Sequence, residues 1–364
     1  MALTLHGTVS DNTAVLSRPN AKPLIINGDM NIAQRATSVT GHTGGGYTTL
    51  DRWRLDVNTL GTWTIAKTAS APDGTGLTSS FRIDCTTADA SPAAGDHLIF
   101  STRLEGQDSQ LLEKGTSAAK KVTIAFYVKS NKTGTYIMEI DDNDNARNIN
   151  QAYTISSADT WEKKVLTFAG DTTGAFGNDN GDSLRLLWWL GSGSNFSSGS
   201  LQTAWAGTDN TKRAVGNVNV GDNTANDWSI TGIQMEVGEY DATTIPSFQH
   251  ESFDENLRRC QRYFRKIDKE ADYGPIMMAH GIDNNRCRGA YFFPTPMRSA
   301  PTFTATGDMI RSFGSATAMS SAAGVSSRFA MSIDFTNSGA FAVNQGNLVT
   351  FKTTAASLTF TSEL

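Results

Sequence analysis

Val122-Thr123-Ile124-Ala125-Phe126-Tyr127-Val128-Lys129 is the stretch that settles the fold class. Val122, Ile124, Phe126 and Val128 recur at every second position, the period of a strand with one face in a core and the other toward water. After Ser130-Asn131-Lys132-Thr133-Gly134 comes Tyr136-Ile137-Met138-Glu139-Ile140, which reads as its hairpin partner. Trp161 to Phe168 and Leu184 to Leu190 read as strands in the same way. Upstream, Leu24-Ile25-Ile26 reads as a short strand closed by Asn27-Gly28, a strong turn dipeptide. Downstream, Trp228 and Ile230 are in phase, whereas Ile233, Met235 and Val237 are out of phase with them. Gly232 sits at the shift, which places a β-bulge there. Long loops rich in Gly, Asn, Asp and Ser separate these segments, notably 169–183 and 191–226. Strands at this spacing, with no helical pattern between them, predict an antiparallel β-sandwich.

One helix follows. Ser252-Phe253-Asp254-Glu255 is a capping box, with Phe253, Leu257, Cys260 and Phe264 at helical spacing behind it, so a helix is expected to about Lys266. β character then returns through Pro294, Pro296 and Pro301. The end, from Thr302 to Leu364, has few charges and small side chains; it would make a poor isolated domain and is expected to bury surface against sister chains. Residues 1–24 are polar, carry Pro19 and Pro23, and suit a flexible leader or an arm that docks on a partner. The expected division is therefore an arm over 1–24, a sandwich over 25–250, a linking helix over 251–266 and a smaller β-rich domain over 267–364.

The bulk numbers narrow the class. At 364 residues the chain exceeds one ordinary domain. A net charge of −5 gives no footprint for a nucleic-acid partner. Before Glu251 there are 19 Lys/Arg (31 less 12) against 26 Asp/Glu (36 less 10). Such an acidic front suits cations or hydroxyl-rich ligands, and solubility accounts for it equally well. Cys85, Cys260 and Cys287 cannot all pair and show no C-x-x-C spacing, which fits assembly in a reducing cytoplasm. Met1-Ala2-Leu3-Thr4-Leu5-His6 lacks a basic start and an apolar run, so no signal peptide is expected, and no stretch is apolar for long enough to insert in a membrane.

No catalytic signature emerges. Gly44-Gly45-Gly46 is not followed by the Lys-Ser/Thr of a phosphate loop, no Gly-x-Ser-x-Gly is present, and the five histidines have no metal-site spacing. The protein is expected not to be an enzyme. Asp141-Asp142-Asn143-Asp144-Asn145 follows a strand and offers alternate oxygens, but the rest of a calcium loop is missing, so Asp141 and Asp144 are as well explained by a solvated acidic turn. Trp188 and Trp189 are adjacent in a strand and must leave opposite faces of the sheet, so one of them meets a loop, a neighbour or a ligand. Trp205 lies in a polar, Gly-rich loop that gives it no local apolar pattern. Flat aromatic faces beside Asn and Asp suit sugars, which makes Trp205, Trp189, Asp141 and Asp144 the candidate ligand residues. Trp53, Trp63 and Trp161 read as core or strand-edge residues.

Several blocks together resemble a known family. Asn20-Ala21-Lys22-Pro23-Leu24-Ile25-Ile26-Asn27-Gly28-Asp29-Met30-Asn31-Ile32-Ala33-Gln34-Arg35, followed by Asp51-Arg52-Trp53, resembles the opening of carbohydrate-binding-like domains of bacteriophage tail proteins. Phe126-Tyr127-Val128-Lys129-Ser130 with Lys132-Thr133-Gly134 is similar to a central strand and turn of that group, and Trp228 to Gly238 to its closing strand. Phe248 to Phe264 and Phe293-Pro294-Thr295-Pro296-Met297-Arg298-Ser299-Ala300-Pro301 resemble the join to the C-terminal part of tail fibres. The resemblance covers about 20–301. It implies a jelly-roll sandwich, a place in the virion as a fibre subunit, contact with other virion proteins through the arm, a homotrimer, and host-surface glycan as partner. It also implies that a structural calcium would involve the neighbourhoods of Asp29 and Glu236. A capsid or tail decoration protein without a receptor, and a polysaccharide depolymerase, are the alternative functions.

Overall fold

The computed structural model describes residues 22–268, 274–307, 309–311, 319–352 and 356–364, so the expected arm lies, up to residue 21, outside the described residues. The chain divides into two units, Met1–Ser252 and Phe253–Leu364. In the first, the strands are β1 (Ser38–His42), β2 (Gly45–Gly46), β3 (Arg54–Asn58), β4 (Thr62–Thr68), β5 (Ser80–Thr87), β6 (His97–Glu105) and β7 (Val122–Ser130). They continue as β8 (Gly134–Asp142), β9 (Arg147–Ile155), β10 (Glu162–Phe168), β11 (Asp182–Ser192), β12 (Ala206–Gly207) and β13 (Asp227–Val237).

One sheet has the order β1-β4-β5-β13-β7-β10 and the other β12-β9-β8-β11-β6-β3-β2. The strand pairings are antiparallel. Take β5 to β11 and β13 as strands one to eight: the sheets then run one-eight-three-six and two-seven-four-five. That is the winding of a jelly roll. It corrects the expected hairpin of Val122–Lys129 with Tyr136–Ile140. β7 pairs with β10 and β13, whereas β8 pairs with β9 and β11, so the chain crosses between sheets at 131–133. Alternation fixes which face is apolar, and that requirement is met equally by neighbours in one sheet or by strands facing across the core.

Leu24-Ile25-Ile26 forms no strand; the backbone bends and turns from 24 to 30. Asn27 takes a left-handed conformation (φ 57) and its buried amide does the work of a ladder. Its Nδ2 donates to the carbonyls of Ile32 and Asp51, both at 2.9 Å, and its Oδ1 accepts from the Ile32 N–H at 2.9 Å. Its backbone carbonyl accepts from the Trp53 indole at 2.8 Å. Asp51-Arg52-Trp53 is thereby tied to the opening loop. Gly28 runs so close to β13 that an added Cβ would lie 2.2 Å from the Ile233 carbonyl oxygen.

The bulge is where the sequence places it. The β13–β7 register shifts between Thr231 and Gln234, with Gly232 at φ 61. Phe100 lies at the centre of the core, stacked on Trp53 (centroids 4.9 Å, planes 9° apart) and within 5.6 Å of Phe81, Trp188 and Trp228. Phe81 and Trp228 belong to the facing sheet, so one ring joins both layers.

The second unit opens with a helix, Phe253–Gln261, that stops before the expected Lys266. Phe264 begins a strand instead, because Phe264 and Ile267 find partners in β pairing that a further helical turn would forfeit. On the helix, Asn256 and Cys260 are buried, while Phe253 is 61% exposed. Its strands are β14 (Phe264–Asp268), β15 (Pro275–Asp283), β16 (Arg286–Phe292), β17 (Thr302–Thr306) and β18 (Met309–Arg311). β19 (Ser320–Ser326), β20 (Ala330–Thr336), β21 (Gly346–Phe351) and β22 (Ser357–Thr361) complete it. They form sheets β14-β22-β17 and β18-β21-β15-β16-β20-β19. Residues 302–364 thus do not fold apart: they pair with β14 to β16 around Cys287, Ile333, Phe335, Phe360 and the adaptable side chains of Met277, Met297, Met309 and Met331. Cys85, Cys260 and Cys287 are all buried and unpaired with one another.

Phe100→Ala should destabilise the first unit by about 3–5 kcal/mol, the cost of a large cavity in a packed core. A urea titration followed by tryptophan fluorescence measures it.

Candidate functional site

The outer face of the seven-stranded sheet receives the side chains that alternate with the core. On β8 these are Ile137, Glu139 and Asp141, against Tyr136, Met138 and Ile140 inside. Glu139 is fully buried and accepts from the Trp189 indole at 2.7 Å and from Arg213 Nε at 2.9 Å and Nη2 at 2.8 Å. Burial pushes the Glu139 carboxyl up, and Arg213 opposes that shift. Asp141 is likewise pushed up by burial, against the pull of Arg213 (4.0 Å) and Arg185 (3.6 Å). Asp182 extends the chain of charges, accepting from Arg185 at 2.7 Å and Arg103 at 2.9 Å. Arg213 also lies over the Trp189 ring, 5.3 Å from its centroid.

This network is a strap. It holds the loop after β11 on the sheet, where Phe196, Leu201 and Ala214 cover Ile99, Ile137, Leu187 and Trp189. Trp188 and Trp189 do leave opposite faces, and what Trp189 meets is this loop; its relative exposure is 0%. Asp141 belongs to the same network. Trp205 and Asp144 serve the 169–177 loop instead. The Trp205 indole donates to the Ala169 carbonyl at 2.7 Å, and the Lys114 ammonium lies 5.4 Å from its ring. Lys114 is in turn held by Asp142 at 2.5 Å and Asp171 at 3.1 Å. The cleft beside Trp205 has about 20 Å³ free, room for one water and not for a sugar ring. Asp144 accepts from the Gly177 N–H at 2.9 Å.

Among the described residues no three His, Cys, Asp or Glu side chains come together as a metal site. In the acidic turn, Asp142 is taken up by Lys114 and by Asn145 at 2.9 Å, and near the first strand Asp29 accepts from Asn31 at 2.6 Å.

An open pocket of about 330 Å³ lies on the other sheet, and no sequence pattern marked it. Its walls come from β7, β10 and β13 and from the chain after β13. Tyr127 points away from the core because Phe126 and Val128 point in, and Lys163 is its direct cross-strand neighbour. Ala125 and Gly232 line the space with almost no side chain. At Gly232 a Cβ would meet Leu77 at 2.7 Å and the Tyr127 ring at 3.0 Å, in a backbone conformation that favours glycine. Phe248 and His250 contribute an edge-to-face pair (5.0 Å), and His250 Nε2 is 3.1 Å from the Thr75 carbonyl. Asp241 shapes the approach to this segment: it accepts from the backbone N–H and hydroxyl of both Thr243 and Thr244, which draws its carboxyl down to about 2.

Two polar ends in this pocket are uncommitted. The Tyr127 hydroxyl and the Lys163 ammonium have no hydrogen-bond or ion-pair partner among the described residues. Burial alone raises the Tyr127 phenol and lowers Lys163, with no neighbouring charge acting on either. The strict alternation of β7 was the available signal for Tyr127. Nothing local in the sequence brings Phe248 and His250 to it.

No family model matches the chain, and no curated protein matches it. Solved structures do resemble it. A tailspike protein 4 enzymatically active domain from bacteriophage CBA120 is 11% identical over 59% of this chain, with a TM-score of 0.32; the match spans 21% of the tailspike chain. A sugar-binding protein from Bacteroides thetaiotaomicron, so described provisionally, is 14% identical over 59% of this chain and 100% of its own, with a TM-score of 0.32. A CBM4 structure is 11% identical over 58% and 97%, with a TM-score of 0.28. At such identities the likeness is one of fold alone.

Arg213→Ala should cost about 3–5 kcal/mol, because it leaves the Glu139 charge buried without a cation. Adding Glu139→Gln should recover part of that loss, since the amide keeps a bond to Trp189 and carries no charge. Denaturant titration of the two variants compares them.

Proposed function

We propose that this chain is a non-enzymatic glycan-recognition subunit of a bacteriophage appendage, and that the Tyr127 pocket is its binding site. The observation that carries the reading is the combination in one pocket of an aromatic wall, a glycine-and-alanine base and two uncommitted polar ends. Sugars are recognised in this way, by stacking of C–H faces on rings and hydrogen bonds to fixed donors. Trp189, Asp141, Trp205 and Asp144 already have structural partners, so the ligand role moves from them to Tyr127, Phe248 and their neighbours. The order of the family-like blocks between about 20 and 301 supports the virion setting.

The fibre reading goes on to a homotrimer joined through the second unit, with the N-terminal arm on other virion proteins. Most of the large apolar side chains left exposed among the described residues support it. Met278 is 63% exposed, Phe292 73%, Val325 80%, Phe329 62% and Val343 58%, all in that unit. A trimer joined through this unit would cover part of that apolar surface. Three weak sugar sites on one particle would add to useful avidity. A decoration protein without receptor remains the second reading, favoured by the closed ion-pair network on the seven-stranded face.

Light scattering of the full chain should give three times 39.1 kDa. The protein should bind host-surface polysaccharide and release no oligosaccharide. Tyr127→Ala combined with Phe248→Ala should weaken that binding at least about tenfold, roughly 1.4 kcal/mol, with unchanged circular dichroism. A monomer that binds no polysaccharide would favour the decoration protein, and released sugar would point to a depolymerase.

A further inference from the structure

From the chemistry of this pocket we infer that its ligand is an acidic saccharide, a sugar bearing a carboxylate such as a uronic acid. The inference rests on the glycan-binding reading above and adds the charge class of the ligand.

Lys163 lines this pocket and is exposed, so its ammonium can meet an anion that enters the space. Several lysines of this unit have an anion from their own chain. Lys114 has Asp142 and Asp171, Lys132 has Asp222, Lys164 has Glu162, and Lys121 has Glu239 at 2.5 Å. Lys67 and Lys129 have no ion-paired carboxylate but donate to the Asn31 carbonyl and to Ser70 Oγ, whereas Lys163 has neither an anion nor a hydrogen-bond partner among the described residues. No Asp or Glu lines its pocket, and no carboxylate contributes to its environment. This is so in a chain of net charge −5 whose front section is richer in acids than in bases. The pocket's side-chain acceptors are neutral, from Gln234, Ser247 and Thr75, and its one cation is Lys163.

The remaining groups suit a carboxylate carried on a ring. Tyr127, the cross-strand neighbour of Lys163, has a hydroxyl free to donate beside the ammonium. The Phe248 and His250 rings form the opposite side and offer the C–H face of a sugar a place to pack. The absence of side chains at Ala125 and Gly232 keeps the space between open, and the positive φ of Gly232 fixes glycine there. The volume, about 330 Å³, falls in the range of small-molecule sites. A lone lysine in this setting is poorly matched to nucleic acid, which needs several cations along a groove.

The test uses the full-length protein and calorimetry with three probes: a galacturonic acid trisaccharide, its neutral galactose counterpart and inorganic phosphate. The acidic trisaccharide should bind at least about tenfold more tightly than the neutral one, and weaken as salt is raised. Lys163→Met keeps the aliphatic stem and should abolish that preference while leaving thermal unfolding unchanged; Lys163→Arg should retain it. Equal binding of both trisaccharides, unaffected by Lys163→Met, would overturn the inference and leave the glycan reading intact. Phosphate binding as tightly as the acidic sugar would also overturn it, by showing a bare anion site. Failure of every saccharide, on a panel that includes host polysaccharide, would instead remove the reading on which the inference rests.

Discussion

Phe100 is the constraint on which the first unit depends. Its ring is shared by both sheets, stacked on Trp53 from its own layer and packed against Phe81 and Trp228 from the other. Rings of this size can meet in only a few arrangements, so their packing fixes the spacing of the two sheets more tightly than aliphatic side chains would. Trp53 is itself held by its indole bond to Asn27, which brings the opening loop into the same assembly. A short run of sequence far from any strand is thereby made part of the core.

With the interior fixed, the two outer faces have been put to different uses. The face of the seven-stranded sheet is spent on attachment. Glu139, Arg213, Asp141, Arg185, Asp182 and Arg103 neutralise one another in a line, and the loop after β11 is pinned over Trp189. Buried ion pairs of this kind add less stability than their number suggests, but removing one member is expensive, so they fix position rather than strength. The six-stranded face is built differently. The bulge at Gly232 breaks the register of β13 on β7, and the chain that continues from β13 returns as Phe248 and His250 to wall a pocket over Tyr127. Irregular pairing thus makes the recess, and the polar ends inside it are left without partners of their own.

Much of this was legible in the residues. The two-residue period of 122–129, the phase change at Gly232 and the opposite faces of Trp188 and Trp189 follow from strand geometry, which is local and survives whatever the chain does next. Where the reading failed, the competing arrangement was equally consistent with local pattern. Tyr136–Ile140 fits a hairpin with β7 or a strand across the core. Leu24-Ile25-Ile26 fits a strand until the Asn27 amide is seen to satisfy the backbone in its place. The helix from Phe253 has a convincing start, but its end was decided by the partner waiting for Phe264 on β22.

Sequence by itself therefore determined the class of fold, the inward and outward sides of its strands and the position of its bulge, because each depends on residues within a few positions of one another. Only the tertiary structure decided which aromatic and acidic residues are committed. Trp189, Trp205, Asp141 and Asp144 looked available, yet each meets a partner brought from a distant segment: Arg213, Ala169, Arg185 and Gly177. Tyr127 and Lys163 looked ordinary and are the ones left open. Whether a polar group is satisfied depends on what folds beside it, and in a jelly roll its neighbours come from strands far apart in the chain.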